Sequence, residues 1–449
     1  MNTAAKSSMA EKICYGLGGL GANFVWPFMS MFVLTYYTNS VGIAAAAAGT
    51  MMLVARLLDG VSDVFFAWVM QKVHFKMGRV KPWILISAPL LAVSLVLAFN
   101  IPGSLSDTGK IVYIYITYSF TAAVSYTIFN LAFAAYLPAM SFDPKDQVTA
   151  SSIYNVITMG GVMALSMVTP TLLAMFGGIP DTGSWSKLSI IYALICLVGV
   201  TLMGLALKEK TPPETAEQAE APVVAKKSFA ETLKIIFSSK YTWMLLVVFF
   251  VFYLFSGASS GLATYYFMYV MGDMTLSTYA LGSFPTVIVQ MVMFFLLTKL
   301  VTAFGRKKIV IGGLLISIVG SLLLYINPSN LIVFIISACI KTAGFVPVMC
   351  IIYVYIADLV GEIAAKNNGF RPVETVSMVS SIGTKLGTGI GSALVGWTLS
   401  WLAVDFTAAA QSAFTINGII AYTVFVPIIT LGIIAIILRK WDLGVDAKQ

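Results

Sequence analysis

The chain has 449 residues, of which 59% are hydrophobic and only 10% are charged; its mean hydropathy is +0.91 and its formal net charge is +8. So few charges cannot cover a water-facing surface, which excludes a soluble enzyme, a disordered protein and a nucleic-acid binder. The apolar runs are long and unbroken, unlike the alternating strands of an outer-membrane barrel. We therefore expect an all-α membrane protein with about a dozen helices, since each span takes ~20 apolar residues.

Twelve hydrophobic stretches follow one another along the chain and predict twelve transmembrane helices. They cover residues 13–37, 45–71, 82–100, 110–137, 148–176, 188–207, 241–271, 277–300, 309–326, 330–358, 373–403 and 413–438. Lys and Arg accumulate on the cytoplasmic side of membrane proteins. With the N-terminus inside, 22 of the 27 basic residues fall on that side, and only Lys110 and Lys187 lie opposite. Both termini are therefore predicted to be cytoplasmic, in the inner membrane of a bacterium.

The longest hydrophilic stretch, residues 208–240, lies midway along the chain and separates two groups of six spans. It begins as a Pro/Glu/Ala-rich linker, and its end predicts a short interfacial helix in which Ser228 and Glu231 have capping-box spacing. One face of that helix would carry four apolar side chains, namely Phe229, Leu233, Ile236 and Phe237. The predicted organisation is a six-helix half over 1–207, the linker with its helix over 208–240, and a second six-helix half over 241–449.

A short internal repeat supports the division into halves. The loop after the second span contains Gly78–Lys81 and the loop after the eighth contains Gly305–Lys308, 227 residues further on, and both read Gly-Arg-x-Lys. Two similar six-span halves are typical of the major facilitator architecture, in which the substrate site lies near the midplane between the halves.

Five charged residues at membrane depth are functional candidates, because each costs roughly 2.5–3.5 kcal/mol on insertion scales. They are Arg56, Asp59, Asp63, Lys341 and Lys385. The first three recur at i, i+3 and i+7, so they form one stripe on a helix, with Ser62 beside it. Two carboxylates one turn apart repel, and they favour a bound cation, Na⁺ or H⁺. The alternative is that Arg56 neutralises Asp59 while Asp63 holds a loop.

The two lysines lie in the second half. Lys385, among the glycines of the eleventh span, needs an acid or an anionic ligand. Asp59 or Asp63 is the expected partner, so that Arg56 and Lys385 would couple the halves; a purely structural bridge is the alternative. Lys341 has no acid nearby in its own span, and it is either a second substrate contact or paired in a way that the sequence does not reveal.

Polar and aromatic residues in the first and fourth spans predict a sugar site. Asn23, Tyr126 and Asn130 could combine an aromatic face with amide hydrogen bonds in a mostly apolar pocket. A packing role is the alternative for any single aromatic residue. The two amides are the stronger candidates, because a buried amide needs partners.

Enzyme chemistry is not visible in the sequence. The four cysteines lie in apolar runs without metal-ligand spacing and indicate small core residues: Cys14, Cys196, Cys339 and Cys350. The one histidine, His74, lies in a basic loop, and there is no P-loop or His/Cys cluster. We therefore expect neither an enzyme nor a cofactor other than a coupling ion.

Four stretches resemble the glycoside–pentoside–hexuronide:cation symporter family of the major facilitator superfamily. They are KICYGLGGLGANF (12–24), AAAAGTMMLVARLLDGVSDVF (45–65) running into MGRVKPWILISAPL (77–90), SYTIFNLAFAAYLPAM (125–140) and TKLGTGIGSALVGW (384–397). The resemblance implies that Asp59 and Asp63 bind the coupling cation. It also implies that Thr127 supplies a hydroxyl to that site, with Ser62 in place of an amide, and that Lys385 is the family's helix-eleven lysine.

The chain departs from melibiose permeases of that family at the sugar site. Asn23 and Asn130 stand where those proteins have aspartates, and Ala134 replaces a tryptophan. At these positions the chain resembles the glucuronide-type branch of the family. Neutral amides beside lysines would tolerate an anionic sugar better than aspartates do.

The predicted function is a secondary symporter that takes up a glycoside, uronide or pentoside, driven by H⁺ or Na⁺ through alternating access. Its partners would be the small-molecule substrate, the cation and the lipid bilayer, and the protein would be a monomer. A lipid or drug transporter of the same fold is one alternative. A polytopic membrane sensor or transferase is the alternative from another class.

Overall fold

The computed structural model describes residues 7–73, 75–141, 143–210, 229–408 and 410–443. These residues are helical apart from loops and one isolated bridge between Phe75 and Gly78, which confirms the all-α fold class. The α-helices are α1 (Met9–Asn23), α2 (Trp26–Thr35), α3 (Ala45–Lys72), α4 (Lys81–Ala98), α5 (Asp107–Phe120), α6 (Tyr126–Met140), α7 (Pro144–Phe176), α8 (Thr182–Ala206), α9 (Phe229–Ser238), α10 (Lys240–Tyr265), α11 (Ser277–Phe304), α12 (Arg306–Leu323), α13 (Leu331–Ile351), α14 (Val354–Lys366), α15 (Val373–Trp401) and α16 (Ala413–Arg439).

Three of the membrane-length segments are interrupted helices. A two-residue break before Pro27 separates α1 from α2, and a π-helical turn, Thr121–Ser125, joins α5 to α6. A two-residue turn joins α13 to α14. Counted this way, the described residues form twelve long helical segments plus the short α9, in agreement with the twelve predicted spans.

Ten of these twelve segments are long and apolar enough to cross a membrane by length and composition. The remaining two, α3 and α15, have 28 and 29 residues, which also suffices for a ~30 Å hydrocarbon core at 1.5 Å per residue. They carry four of the five charges at membrane depth, because Arg56, Asp59 and Asp63 lie on α3 and Lys385 lies on α15. The chain is a multi-pass membrane protein.

Equivalent helices of the two halves pack in equivalent ways. In the first half α8 packs on α1 and α4, and in the second half α16 packs on α10 and α12. The first span ends in a π-helical turn, Tyr36–Ser40, and Gly42 at φ 79°; the seventh ends in Tyr266–Val270 and Gly272 at φ 71°. Because positive φ favours glycine, these matched turns extend the repeat beyond the Gly-Arg-x-Lys loops.

Chain contacts define two compact units. The first contains the described parts of Met1–Thr215, Asp273–Ala280 and Ala393–Ala410, and the second contains the described parts of Ala216–Gly272, Leu281–Ser392 and Gln411–Gln449. The boundaries at 207 and 241 remain predictions.

The core of the first unit is an aromatic cluster. The Trp185 and Phe99 rings stack with centroids 5.9 Å apart, and Phe28 stacks on Phe99 at 4.6 Å. All three side chains are fully buried. Aromatic pairs at these separations add to the stability that burial provides.

In the second unit, glycines bring helix backbones into direct contact. A Cβ on Gly257 of α10 would lie 2.7 Å from the carbonyl oxygen of Thr388 on α15, and a Cβ on Gly383 would lie 2.9 Å from that of Leu246. This confirms that the glycines of the eleventh span allow close helix approach.

The loops predicted to be cytoplasmic are held by hydrogen bonds within each unit. The Glu209 carboxylate accepts bonds from the backbone N–H groups of Arg79 (2.7 Å), Val80 (2.8 Å) and Lys81 (2.7 Å), where α4 begins. In the second unit the Arg306 guanidinium binds Asp358, and Lys307 donates to the Trp441 carbonyl oxygen at 2.9 Å. The Glu209 carboxylate therefore accepts hydrogen bonds from N–H groups that the first turn of α4 leaves without partners in the helix.

The short helix predicted after the linker is present as α9. Ile236 is fully buried, and Leu233 and Phe237 are half-buried, whereas Glu231 and Lys234 are exposed, so these three apolar residues share one face as predicted. The side chain of Phe229, the fourth residue of the predicted face, lies outside the described part of the chain. The capping-box residue Ser228, like His74, lies outside the described residues.

Candidate functional site

The charged stripe predicted on α3 begins with a mostly buried ion pair. Arg56 Nη1 lies 3.7 Å from Asp59 Oδ2, and the two side chains are only 14% and 12% exposed. The Arg56 guanidinium also lies over the Trp26 ring, 4.0 Å from its centroid. A cation held on an aromatic face and beside one acid is partly compensated for its loss of water.

Helix α6 supplies a second ligand to the same carboxylate. Thr127, which is 1% exposed and follows the π-helical turn, donates from Oγ1 to Asp59 Oδ1 at 3.0 Å. Ser62 Oγ lies 3.3 Å from Thr127 Oγ1 and donates to the Asp59 backbone carbonyl at 3.0 Å. Three of the four predicted cation ligands are therefore in mutual contact. We call Asp59, Ser62 and Thr127 the acidic cluster.

Asp63, the fourth predicted ligand, is half-buried one turn further along α3. Among the described residues, no group of three or more His, Cys, Asp and Glu side chains could hold a metal ion. A cation here would rest on two carboxylates and the hydroxyls of Ser62 and Thr127, which are hard oxygen donors of the kind that Na⁺ prefers. The residues also fit a proton, since carboxylates carry one directly.

The arginine accounts for only part of the charge in the stripe. Arg56 faces Asp59 Oδ2, whereas Oδ1 is bound by Thr127. In the alternative, Arg56 neutralises Asp59 and Asp63 holds a loop; the observed ion pair engages one oxygen of the Asp59 carboxylate. The roles predicted for all four residues remain predictions.

The predicted sugar residues of the first unit differ in exposure. Tyr126 is half-buried, and its ring lies 5.0 Å from that of Trp26. Asn23 is half-buried and donates to its own helix, from Nδ2 to the Gly19 carbonyl at 2.8 Å. The expectation of a buried amide is wrong for Asn130, which is exposed together with Ala134. These two residues lie at i and i+4, so they occupy one open stripe of α6 opposite its packed face.

In the second unit, Lys341 is fixed by close packing of α13 on α12. The Ser317 hydroxyl donates to the Lys341 carbonyl at 2.9 Å, and a Cβ on Gly320 would lie 2.6 Å from the Lys341 nitrogen. Its side chain lines a cavity of about 70 Å³ bounded by α10, α13 and α16. Ser259, Tyr266 and Tyr422 line the same cavity.

This cavity is the feature that the sequence did not reveal. Tyr422 lies in a uniformly apolar span, so no periodic signal marks it, and Ser259 is one of several small polar residues in α10. Of the two explanations left open for Lys341, pairing with an acid finds no support. Among the described residues, no carboxylate oxygen lies within 4.0 Å of its ammonium group.

Lys385 is half-buried on α15 of the second unit. Its predicted pairing with Asp59 or Asp63 remains a prediction. The cysteines are unpaired, with Cys196 buried and Cys14, Cys339 and Cys350 half-buried, as expected of small residues in apolar helices.

Comparison with known proteins adds a family assignment to this geometry. A family model described as MFS/sugar transport protein matches residues 14–444. The chain is 30% identical over 438 residues to the isoprimeverose transporter of Lactiplantibacillus pentosus, covering 96% of this chain and 88% of that protein. It is 28% identical to a putative glycoside/cation symporter of Escherichia coli, covering 98% and 93%.

The fold is shared with solved transporters. The crystal structure of a D-xylose-proton symporter superposes with a TM-score of 0.65 at 16% sequence identity, covering 94% of this chain and 96% of that one. At this identity the likeness concerns the fold alone; together with the matching family model it confirms the major facilitator architecture. These relatives and the matched family are transporters.

Proposed function

The chain belongs to the MFS/sugar transport protein family, which confirms the resemblance identified from its motifs, and we propose that it is a cation-coupled sugar symporter. The substrate is a glycoside, a pentoside or a uronide, and the coupling cation is Na⁺ or H⁺. The proposal agrees with the printed functions of the relatives, an isoprimeverose transporter and a putative glycoside/cation symporter.

The acidic cluster is the observation that carries the coupling part of the proposal. Its central residue, Asp59, is buried, and the Asp59 carboxylate accepts a hydrogen bond from Thr127. A buried carboxylate near a second one is stabilised by binding a cation, because the cation offsets both desolvation and mutual repulsion. Cation binding at Asp59, Asp63, Ser62 and Thr127 would thereby favour the state that binds sugar.

Sugar binding is assigned to the candidates in both halves. Tyr126 supports this role by adjoining Trp26 and supplying an aromatic face, and Asn23 and Asn130 offer amides. Lys341 and Lys385 supply positive charge in the second half. Sugar pockets combine apolar walls with a few polar groups that fix orientation, and within the first unit Tyr126 and the two amides are groups of these kinds.

Transport would follow alternating access, with the two repeat-related halves exposing the site to one side of the membrane at a time. The distribution of basic residues supports cytoplasmic termini in a bacterial inner membrane. We propose that a monomer suffices, since each half contributes candidate residues within a single chain.

The direct test is uptake of labelled glycosides into proteoliposomes, with and without a Na⁺ gradient and at two pH values. Uptake that rises with an imposed Na⁺ or H⁺ gradient supports the proposal and identifies the cation. Uptake of no sugar under any gradient would refute it, and strong binding of a lysolipid instead would favour the lipid-transporter alternative.

A substitution separates coupling from sugar binding. Asp63→Ala should abolish ion-driven accumulation but leave exchange of labelled for unlabelled sugar, because exchange needs no net movement of the cation. The measurement is accumulation beside exchange in the same vesicles. Normal accumulation by this variant would remove Asp63 from the cation site.

A further inference from the structure

An apolar groove lies on the surface of the first unit, between α4 and α8, and includes none of the predicted cation or sugar residues. Its volume is about 260 Å³. The buried alanines Ala92 and Ala193 form its floor, and the exposed side chains of Val93, Ile190 and Leu194 form its walls. Small residues between larger ones leave such a depression where two helices pack. Because α4 and α8 are long apolar helices of a membrane protein, the groove faces the hydrocarbon core of the bilayer.

Contacts on both sides of the groove fix the spacing of the two helices. Beyond one end, Asn100 Nδ2 lies 3.3 Å from Ser189 Oγ. Beyond the other end, a Cβ on Gly204 would lie 2.7 Å from Leu85 Cδ2, so the glycine lets α8 approach α4 closely. The groove is therefore a feature of the packed unit itself and needs no ligand to hold its walls apart.

A lysine lies one turn before the groove on the same stripe of α8. Lys187 precedes Ile190 by three residues and Leu194 by seven, which places all three on one face of the helix. Lys187 is exposed, and its ammonium group lies 5.7 Å from the centroid of the Phe176 ring. Among the described residues, no carboxylate oxygen lies within 4.0 Å of that ammonium group. The lysine can therefore pair with an anion supplied by the surroundings.

The lysine lies at the level where lipid headgroups begin. Helical side chains tilt towards the N-terminus of their helix, and a lysine near a helix end extends its ammonium group to the membrane surface. For Lys187 this direction leads away from the groove and towards the start of α8 at Thr182. Asp181, which caps that end, is already engaged, because its carboxylate accepts bonds from the N–H groups of Gly183 at 3.1 Å and Ser184 at 2.9 Å.

This combination of an apolar groove and a cation at one end fits an amphiphile. A water-soluble anion could pair with Lys187 but would meet only apolar side chains beside it, and a purely apolar molecule would leave the lysine unused. A phospholipid has both parts. The groove walls from Ile190 to Leu197 extend about 10 Å along the helix axis at 1.5 Å per residue, which suits the upper part of an acyl chain.

We propose that the groove between α4 and α8 binds one acyl chain of an anionic phospholipid, and that the phosphate of this lipid pairs with Lys187. The chain packs over Ala92 and Ala193, where the protein surface is lowest. The bound lipid stabilises the first unit, because it binds the folded helices and not the unfolded chain. The inference concerns the membrane-facing side of the protein and does not depend on the proposed transport activity.

The test measures lipid binding to the purified full-length protein in detergent. Three probes are compared: dioctanoyl phosphatidylglycerol, dioctanoyl phosphatidylcholine and glycerol phosphate. Native mass spectrometry counts the bound molecules, and the melting temperature reports stabilisation. Wild type should bind one phosphatidylglycerol with a rise in melting temperature, bind phosphatidylcholine more weakly and bind glycerol phosphate not at all. Lys187→Gln should weaken phosphatidylglycerol binding about 5-fold and remove the preference between the two lipids.

A second variant tests the groove itself. Ala193→Leu fills the floor, so binding of both lipids should weaken about 5-fold or more, since the acyl chain loses its packing contacts. Two matched controls should bind lipid like wild type. Lys110→Gln removes the other lysine predicted on this side, which is paired with Asp107 at 3.5 Å, and Val198→Leu enlarges an exposed residue of α8 outside the groove.

Each other outcome contradicts the proposal. Equal binding of the two lipids by wild type, or equal losses in Lys187→Gln and Lys110→Gln, would show general attraction of charge and overturn the site. Unchanged binding by a folded Ala193→Leu would place the lipid elsewhere; if that variant does not fold, the two lysine variants decide. A dimer in detergent that Ala193→Leu dissociates would assign the groove to a second copy of the chain and overturn the lipid site.

Discussion

The acidic cluster of the first unit and the Lys341 cavity of the second differ in how the protein surrounds a charge at membrane depth. Asp59 is surrounded by compensating groups, with Arg56 at 3.7 Å, Thr127 at 3.0 Å and Ser62 bonded to both its backbone carbonyl and Thr127. Lys341 has a tightly held backbone, but no described acid faces its ammonium group. One charge is paired within the protein, and the other has no ion-pair partner among the described residues.

The difference indicates what each site can do. A carboxylate with a hydroxyl and a guanidinium already in place can exchange a small cation with little rearrangement, which suits an ion that binds and leaves in every cycle. A lysine that has no acid within 4.0 Å among the described residues can pair with an anionic group that enters its cavity. Substitutions at the two sites should therefore affect different measurements.

The largest expected effect is that of Asp59→Asn. The amide removes the charge that a cation would neutralise and leaves the buried Arg56 without its acid, so cation-driven accumulation should fall at least 100-fold. Accumulation under an imposed gradient is the measurement. The matched control is Asp107→Asn, whose side chain is fully exposed on α5 and which should accumulate normally. Undiminished accumulation by Asp59→Asn would remove the acidic cluster from coupling.

A steric change tests whether packing holds the Lys341 cavity in place. In Gly320→Ala the new Cβ would lie 2.6 Å from the Lys341 nitrogen, so α12 and α13 must separate, at about 1–3 kcal/mol. The melting temperature should fall by several degrees. Gly312→Ala, on the same helix with nothing within 4 Å of its Cβ, should melt at the same temperature or higher. Identical melting of both variants would contradict the close contact.

The smallest expected effect concerns one hydrogen bond of the acidic cluster. Thr127→Val keeps the shape but loses the donor to Asp59, so the apparent Kd for the cation should rise about 5- to 10-fold, or about 1–1.4 kcal/mol. Sugar binding at saturating cation should be unaffected. Thr430→Val is the control, because that hydroxyl donates to the Val426 and Pro427 carbonyls of its own helix. An unchanged cation Kd would mean that Thr127 only packs.

Much of the fold was predictable because the membrane restricts it. Spans at 45–71 and 413–438 correspond to α3 (Ala45–Lys72) and α16 (Ala413–Arg439) within one residue. Uninterrupted hydrophobicity and internal backbone hydrogen bonding leave a chain few choices in a bilayer. The π-helical turns at Tyr36–Ser40 and Thr121–Ser125 were not predictable, because a single turn with i→i+5 hydrogen bonds has no compositional signal of its own.

The candidate site was predictable where it lies on one helix. The spacing of Arg56, Asp59 and Ser62 was enough to place them on one face of a helix. Thr127 was assigned to the same site only through the family resemblance, and the structure places its hydroxyl 3.0 Å from Asp59 Oδ1. Asn130 was expected to be buried and is exposed. The sequence of a helix does not show which of its faces the neighbouring helices will cover, so this exposure could not be predicted.

The sequence by itself determined that this is a polytopic helical membrane protein with two related halves and five charges at membrane depth. The bilayer strongly penalises charged side chains and unpaired backbone groups, so the hydrophobic spans and the few charges within them can be read from the sequence. Only the tertiary structure decided which partners surround those charges. Thr127 reaches Asp59 from another helix, and Lys341 faces a cavity with Tyr422 rather than an acid. Helix packing makes these pairings across long sequence separations, and no local period encodes them.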